Sequence, residues 1–147
     1  MTDPSIDGWF EGGEHVRPVR VYYEDTDFSG VVYHAQYLAF FERGRTDFLR
    51  CAGVGHAELE AAEEPRFFVV RKIAVEYATP ARIDDLLHVR TRFFPSKGAR
   101  LTISQQMVRG EELVATAEVE AACIDGAGRP KRLPKDAAAK ISAAMGA

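Results

Sequence analysis

The feature that most constrains the fold is one long helical pattern that lies between strand-like segments. Apolar or small residues recur at steps of three and four, which predicts a helix over residues 32–51. The members of this stripe are Tyr37, Phe41, Gly44, Phe48 and Ala52, with Leu38 and Leu49 beside them. Gly53 is placed to end the helix, and Gly44 indicates that a neighbouring backbone passes close to it. A chain with a single helix of this kind has to bury it against a sheet.

Strand-like alternation of apolar and polar residues occupies most of the remaining chain. Val19, Val21 and Tyr23 alternate with polar residues before the helix, and longer runs follow it at residues 67–77, 87–93, 101–107 and 113–123. The links PSKGA and RGE are short enough for hairpins, so much of the sheet is predicted to be antiparallel. The residues PKDAAAKISAAM predict a short helix after Pro134. The predicted fold class is therefore α+β.

The length and composition fit one globular domain. A chain of 147 residues, 46% of them hydrophobic, can bury a core without disulfides or a structural metal. The first sixteen residues have no periodicity, so we expect a flexible arm over residues 1–16 and a single domain over residues 17–147. Cys51 and Cys123 each fall inside an apolar pattern, which predicts buried reduced thiols and neither a disulfide nor a metal site.

Charge and hydropathy argue against several classes of partner. The formal charge of −3, from 19 Lys and Arg against 22 Asp and Glu, lacks the basicity typical of nucleic-acid binding. No apolar run approaches the roughly 20 residues that span a membrane, and the N-terminus lacks the pattern of a signal peptide. We therefore expect a cytoplasmic protein that binds no nucleic acid and has no membrane span.

The densest group of polar residues lies in the turn before the predicted helix. It consists of Tyr23, Glu24, Asp25, Asp27, Ser29 and His34. Asp25 opens a run similar to an EF-hand calcium loop, but the twelfth position is Gln36 and not a carboxylate, so no metal is expected. Asp27 and Ser29 can simply shape the turn and cap the helix.

The same residues also suit catalysis. A helix begins with unpaired N–H groups that can stabilise an oxyanion, and a carboxylate beside them can attack a bound carbonyl or activate water. Asp27 stands in such a position, seven residues before His34. The chemistry that this arrangement predicts is acyl transfer to water.

Three segments of the chain are similar to a known family. They are VRVYYEDTDFSGVVYHAQYLAFFERGRTDFLR, FVVRKIAVEYATPARIDD and RPKRLPK. These segments resemble the YbgC-type acyl-CoA thioesterases, a Tol-Pal-associated group within the 4-hydroxybenzoyl-CoA thioesterase family. The resemblance covers about residues 18–135 and rests mainly on the long motif Y-x-x-x-D-x-x-G-V-V-Y-H-x-x-Y. It implies a hotdog fold, in which a five- to six-stranded antiparallel sheet wraps a long central helix.

The resemblance also assigns roles to residues of the motif. Asp27 matches the catalytic carboxylate, acting as nucleophile or as general base, while the His34 side chain and Tyr23 match positions implicated in catalysis. The His34 backbone amide, with Tyr33 beside it, is expected to polarise the thioester carbonyl. Phe28 stands where small residues are often found after the catalytic aspartate, so it is expected to narrow the acyl pocket.

Family members act as homo-oligomers, either dimers or dimers of dimers, with active sites at the subunit interface. Coenzyme A is part of their substrate, so no separate cofactor is expected here, but its phosphates require cations. Lys97 and Arg100 are the matching candidates, and Arg129, Lys131 and Arg132 form a second basic group. The chain has no Walker or Rossmann glycine loop.

Three functions are compatible with these residues. Hydrolysis of acyl-CoA is the leading hypothesis, with acyl-carrier protein as an alternative thioester donor. A hotdog hydratase is a rival enzyme, and a non-catalytic acyl-CoA or carrier-protein binder recruited to the Tol-Pal machinery is a rival from another class. Any contact with the inner membrane is expected to come through such partners.

Overall fold

The computed structural model describes residues 2–94 and 97–146. Its elements in chain order are α1 (Pro4–Asp7), β1 (Trp9–Glu11), β2 (Glu14–Arg20), a 3₁₀ helix (Tyr23–Asp25), α2 (Gln36–Ala52), α3 (His56–Ala61), β3 (Phe67–Tyr77), β4 (Leu86–Phe93), β5 (Arg100–Arg109), β6 (Glu112–Ile124) and α4 (Lys135–Met145). The strands form one six-stranded antiparallel sheet in the order β1-β2-β4-β5-β6-β3. The predicted α+β class is confirmed, and so is the hairpin at RGE. Pro95 and Ser96 of the predicted PSKGA link lie outside the described residues.

The long helix α2 packs against the inner face of the sheet, next to β2 and β4. Its buried residues are Tyr37, Phe40, Phe41, Gly44, Asp47, Phe48 and Leu49. They share one continuous core with inward residues of the strands, such as Val89, Ile103 and Val119. Leu38, predicted to widen the apolar stripe, is instead exposed, because the helix turns Phe40 towards the sheet.

Gly44 marks a close approach between α2 and the sheet. A Cβ atom at this position would lie 2.6 Å from Val89 Cγ1 and 2.9 Å from Thr91 Oγ1. Because carbon atoms pack at about 3.5–4.0 Å, a larger residue would push the helix away from the sheet. The close approach predicted at Gly44 is confirmed, although the nearest neighbours are side chains of β4 and β5 and not a backbone segment.

The buried amide of Gln105 ties α2 to the sheet beside Gly44. Gln105 Nε2 donates to the Phe41 carbonyl at 2.8 Å and to Thr91 Oγ1 at 3.0 Å. Gln105 Oε1 accepts from Arg45 Nη1 at 2.9 Å. A buried amide with hydrogen bonds at both ends has a fixed orientation. The helix is thus held to the sheet by a polar contact inside an apolar core.

The N-terminal residues differ from the flexible arm expected over residues 1–16. They form α1 and β1, and β2 begins at Glu14, so the expected domain start at residue 17 falls inside a strand. His15 and Val16 are buried, and Phe10 packs edge-on against Phe48 of α2 with ring centres 5.1 Å apart. Strand pairing and these few aromatic contacts order the segment, and neither produces a periodic sequence pattern.

Asp47 of α2 is buried, although aspartate side chains are mostly exposed. Its carboxylate pairs with Arg17 of β2 and with Arg50 of its own helix. Two guanidinium groups therefore compensate the burial of one charge. Arg17 lies 30 residues earlier in the chain, which is beyond the reach of helical spacing rules.

The start of α2 lies at Gln36, four residues after the predicted start. Val31 and Val32 form backbone bridges with Arg82 and Thr26, and the Val32 N–H donates to the Ala81 carbonyl at 2.8 Å. These bonds hold the backbone in an extended form that a helix cannot share. As a result, His34 precedes the helix instead of standing in its first turn.

The helix ends agree better with the sequence. α2 is followed by Gly53, whose φ of 89° gives the left-handed cap predicted there. The C-terminal helix predicted after Pro134 is α4. Cys123 is buried in β6 as predicted, whereas Cys51 at the end of α2 is only partly buried, and both are free thiols. Among the helices of the described ranges, none is long and apolar enough to cross a membrane.

We expect Gly44→Ala to lower the free energy of unfolding by about 1–3 kcal/mol, because the added methyl group overpacks the contact with Val89. The helix preference of alanine acts in the opposite direction by about 1 kcal/mol. Urea denaturation followed by circular dichroism measures the difference. The control is Glu42→Ala, at an exposed position of the same helix, with an expected change below about 0.5 kcal/mol. A Gly44→Ala variant as stable as the parent would contradict the close approach.

Candidate active site

The turn that leads into the site is held by the buried side chain of Asp25. Its carboxylate accepts from the Tyr22 N–H at 2.8 Å and from Gln36 Nε2 at 3.0 Å. Its carbonyl accepts from the Tyr33 N–H at 3.0 Å. These bonds join the 3₁₀ helix to the first residue of α2. They close the base of residues 26–32, which we call the aspartate loop.

Asp27 lies in the aspartate loop with one carboxylate oxygen engaged. Oδ1 accepts from the Ser29 N–H at 2.8 Å and from the Ser29 hydroxyl at 2.5 Å. The hydrogen bond from the Ser29 side chain, and next that from its backbone, lower the pKa of Asp27, and the charge of nearby His34 acts in the same direction. The carboxylate is therefore ionised at neutral pH. Asp25 and Asp27 bind protein donors, and the described part of the chain holds no cluster of metal-ligating side chains.

The peptide groups on both sides of His34 are fixed by hydrogen bonds. The Tyr33 carbonyl accepts from the Gln36 N–H at 2.8 Å, and the His34 carbonyl accepts from the Tyr77 hydroxyl at 2.7 Å. Within residues 2–94 and 97–146, the N–H groups of His34 and Ala35 donate to no protein acceptor. Two neighbouring N–H donors at the start of α2 are therefore free to bind a ligand.

A cleft of about 280 Å³ opens beside His34, and Tyr37 and Tyr77 line it. The Tyr37 hydroxyl accepts from the Ala81 N–H at 2.9 Å, and the rings of Tyr37 and Tyr77 meet edge-on with centres 5.0 Å apart. Tyr33 lies against the His34 ring with centres 4.5 Å apart. The cleft is thus bordered by aromatic side chains whose positions are set by their neighbours.

The structure brings Asp27, His34 and Tyr33 together, but it places Tyr23 differently from the sequence-based prediction. Tyr23 is predicted as an inward residue of a strand or of the core, yet it lies in the 3₁₀ helix and is 82% exposed. β2 ends at Arg20. The chain turns there because the Tyr22 N–H donates to the Asp25 carboxylate and not to a neighbouring strand.

Phe28 is fully exposed at the tip of the aspartate loop. It is absent from the walls of the cleft beside His34, as far as the described residues define them. Within one protomer, Phe28 therefore does not narrow that cleft. Its expected influence on the acyl group is still a prediction.

The predicted cations Lys97 and Arg100 lie far from the aspartate loop. Tyr77, which bonds to His34 near that loop, pairs with Ala115 of β6. Arg100 of β5 pairs with Ala122, which lies further along the same strand β6. Seven residues of extended strand separate these two positions, which corresponds to roughly 20–25 Å. One protomer therefore does not bring the cations and the aspartate loop together.

The second basic group lies beside the first. The Lys131 N–H donates to the Cys123 carbonyl, and the Cys123 N–H donates to the Ala99 carbonyl, so both basic segments flank one end of β6. We call this the basic end of the sheet. The ion pairs there are Arg71 and Arg100 with Glu120, and Arg129 with Asp125.

The sequence places Asp25 in the polar group before the helix but indicates no structural role for it, and it does not identify Gln36 or Tyr77 as parts of the site. The hydrogen bond between Asp25 and Gln36 joins residues 11 positions apart, so the sequence indicates only that Asp25 lies in a turn. Tyr77 is predicted as an alternating strand residue, but its bond to His34 joins positions 43 residues apart. Its aromatic hydroxyl at the end of a strand is the one local signal.

The aspartate loop and the start of α2 together suit acyl transfer. An ionised carboxylate can attack a carbonyl or accept a proton from water. Peptide N–H groups that point at the carbonyl oxygen stabilise the negative charge that develops there. Both kinds of group are present, and the backbone between them is fixed.

The family is established by comparison with known sequences. A family model described as the thioesterase-like superfamily matches residues 21–141, which includes the aspartate loop and the whole of α2. The chain therefore belongs to this superfamily, and its fold is the hotdog implied by the resemblance.

Two relatives narrow the family further. The chain is 47% identical over 126 residues to acyl-CoA thioester hydrolase YbgC of Escherichia coli O157:H7, covering 84% of this chain and 92% of that protein. It is 45% identical over 120 residues to acyl-CoA thioesterase YbgC of Haemophilus influenzae, covering 81% and 88%. Within the superfamily, the chain is a member of the YbgC acyl-CoA thioesterases.

Solved structures agree with this assignment. A probable thioesterase from Bartonella henselae superposes with a TM-score of 0.79 at 48% identity, covering 82% of this chain and 99% of that one. The hypothetical protein TT1821 from Thermus thermophilus gives a TM-score of 0.80 at 31% identity, covering 87% and 97%.

We expect Ser29→Ala to raise the pKa of Asp27, because it removes the hydroxyl that contributes most to stabilising the carboxylate. The Asp27 carboxylate of the variant is then protonated at a higher pH than that of the parent. An NMR titration of the Asp27 carboxyl carbon measures the shift. Ser104→Ala is the matched control, since that hydroxyl donates to Glu118 on the outer face. Identical titration curves for parent and Ser29→Ala would refute this account of the Asp27 pKa.

Proposed function

We propose that this chain hydrolyses the thioester of acyl-CoA to a free carboxylic acid and a thiol. One observation carries the proposal: the ionised carboxylate of Asp27 lies in the loop that leads into α2, and the unpaired N–H groups of His34 and Ala35 lie directly before the first residue of that helix. The names of the YbgC relatives support acyl-CoA as the substrate class.

In the proposed reaction, the thioester carbonyl oxygen accepts hydrogen bonds from the His34 and Ala35 amides. Asp27 takes a proton from water as the water oxygen attacks the carbonyl carbon, and the amides stabilise the resulting oxyanion. The C–S bond then breaks, and the proton held on Asp27 passes to the departing thiolate. Direct attack by Asp27, followed by hydrolysis of an acyl anhydride, would use the same groups.

Neighbouring aromatic and imidazole groups are proposed to contact the substrate. The His34 side chain is a candidate because its charge acts on Asp27, and Tyr33 because its ring packs on His34. Tyr23 is a candidate because it is exposed on the 3₁₀ helix that leads into the aspartate loop. Ser29 engages only Oδ1 of Asp27, which leaves Oδ2 for water or for the carbonyl carbon.

We further propose that two copies of the chain complete each site. β3 is an edge strand, and Val69, Val70 and Tyr77 on it are between 39% and 48% exposed. An unpaired edge with apolar side chains is a template for pairing with another chain. Two β3 strands that pair antiparallel about a two-fold axis would satisfy the unpaired backbone groups of both edges in a symmetric dimer.

Such pairing would unite the two halves of the site. In an antiparallel pair, the Tyr77 end of one β3 strand lies towards the Phe67 end of the other. Phe67 pairs with Ile124 of β6, so this end carries the basic segments of Lys97 and Lys131. The basic end of one copy would then face the aspartate loop of the other, ready for the phosphates of coenzyme A.

Other expectations from the resemblance stay predictions. They are acyl-carrier protein as a thioester donor, Tol-Pal-linked partners, assembly of dimers into tetramers, and a cytoplasmic location with membrane contact through partners. The hotdog hydratase and the non-catalytic binder are alternatives that the same assays distinguish from hydrolysis.

We expect Asp27→Asn to lower kcat for thiol release from acyl-CoA by about 100-fold or more, because the neutral amide neither attacks nor accepts a proton. A thiol reagent measures release from a panel of acyl-CoAs of different chain length. Glu24→Gln is the matched control, as an exposed acidic residue of the same turn, and should retain activity. Equal turnover by the parent and Asp27→Asn would contradict a catalytic role of Asp27.

The alternatives give different signals in the same panel. Loss of the conjugated absorbance of an enoyl-CoA without thiol release would indicate a hydratase. Tight binding of acyl-CoA without turnover, unchanged by Asp27→Asn, would indicate a binding protein.

The two-copy site predicts complementation between inactive variants. One variant is Asp27→Asn, and the other combines Lys97→Ala, Arg100→Ala, Lys131→Ala and Arg132→Ala. After the two are unfolded and refolded together, half of the dimers contain both chains, and each of these has one intact site. We expect kcat/KM to recover to about a quarter of the parental value.

Separately refolded variants are the controls and should stay inactive when mixed without exchange. No recovery from dimers shown by mass to contain both chains would mean that the cations act within one chain. A parent that is active as a monomer would contradict the two-copy site itself.

A further inference from the structure

We propose that Tyr77 is a positioning residue that aligns the two unpaired N–H groups at the start of α2 for the thioester oxygen. The inference rests on the proposed hydrolysis and extends it to a residue of β3. The Tyr77 hydroxyl donates to the His34 carbonyl at 2.7 Å, although the two residues lie 43 positions apart in the sequence.

The peptide groups on both sides of His34 are planar. The His34 carbonyl and the Ala35 N–H belong to one planar group and point in opposite directions. A hydrogen bond from Tyr77 to the carbonyl therefore sets the direction of the Ala35 N–H. The bond from Gln36 to the Tyr33 carbonyl sets the direction of the His34 N–H in the same way.

Both planes beside His34 are thus held before any substrate arrives. Donors that are already oriented need no reorganisation when charge develops on the carbonyl oxygen, which is the main source of oxyanion stabilisation. The two bonds differ in origin, however. The Gln36 bond is part of the turn that begins α2, whereas the Tyr77 bond comes from the far edge of the sheet.

Tyr77 is well placed to keep this bond. Its ring is held edge-on by Tyr37, whose own hydroxyl accepts from the Ala81 N–H. Burial, and next the proximity of Tyr37, raise the pKa of Tyr77, so the hydroxyl keeps its proton as a donor. Tyr77 also lines the cleft beside His34. A change at Tyr77 therefore acts on the carbonyl side of the peptide group whose Ala35 N–H is proposed to bind the thioester oxygen.

The first test is Tyr77→Phe, which removes the hydroxyl and keeps the ring. We expect kcat for thiol release to fall about tenfold or more with KM within about twofold, because the lost orientation affects the oxyanion more than the bound substrate. Tyr22→Phe is the matched control, since the Tyr22 side chain is exposed and is not among the described residues that line the cleft, and it should leave both constants unchanged. Thermal denaturation checks that each variant is folded.

The second test replaces Tyr77 with a fluorinated tyrosine of lower pKa. The alkaline limb of the kcat profile should then move to lower pH, because the donor proton is lost earlier, and a merely structural bond would not produce that shift. Unchanged kcat in Tyr77→Phe, with turnover that still depends on Asp27, overturns this inference and leaves the proposed hydrolysis intact. Turnover that does not depend on Asp27, or no turnover at all, overturns both.

Discussion

The contact of Gly44 with the sheet is the constraint on which the rest of the structure depends. Without a Cβ atom in the way, α2 lies close enough to β4 and β5 for Gln105 to bond the helix backbone directly. That bond fixes the rotation of the helix as well as its depth. A helix held in this way presents Gln36 to Asp25, two turns nearer its N-terminus. The shape of the aspartate loop is therefore set by packing in the middle of the core.

The elements that the sequence predicts well are those with a local cause. The helical stripe, the four alternating runs and the cap at Gly53 follow from periodicity and from single-residue conformational preferences. Asp27 lies in the turn that the sequence predicts, because a run of Asp, Ser and Gly favours a turn. The close approach at Gly44 is also predictable from the sequence, since a glycine inside a helix has a cost that packing must offset.

The elements that the sequence predicts poorly depend on distant partners. The burial of Asp47 requires Arg17 on another strand, and the late start of α2 requires Ala81 and Arg82 to bind the preceding residues. Tyr77 belongs to the same class, because only the register of β3 against β6 places it beside the start of the helix. The ordered N-terminal segment is a further case of pairing without periodicity.

The distribution of charge explains how an acidic chain can bind a polyanion. At the basic end, Glu120 pairs with two arginines, while Lys97, Lys131 and Arg132 form no ion pair with any described residue. Exposed charges more than about 10 Å apart are largely screened, so the distant carboxylates of the same protomer do not offset these cations. A substrate bound across two copies as proposed would meet positive charge at its phosphates and the Asp27 carboxylate at its thioester. That polarity would fix the direction in which the substrate binds.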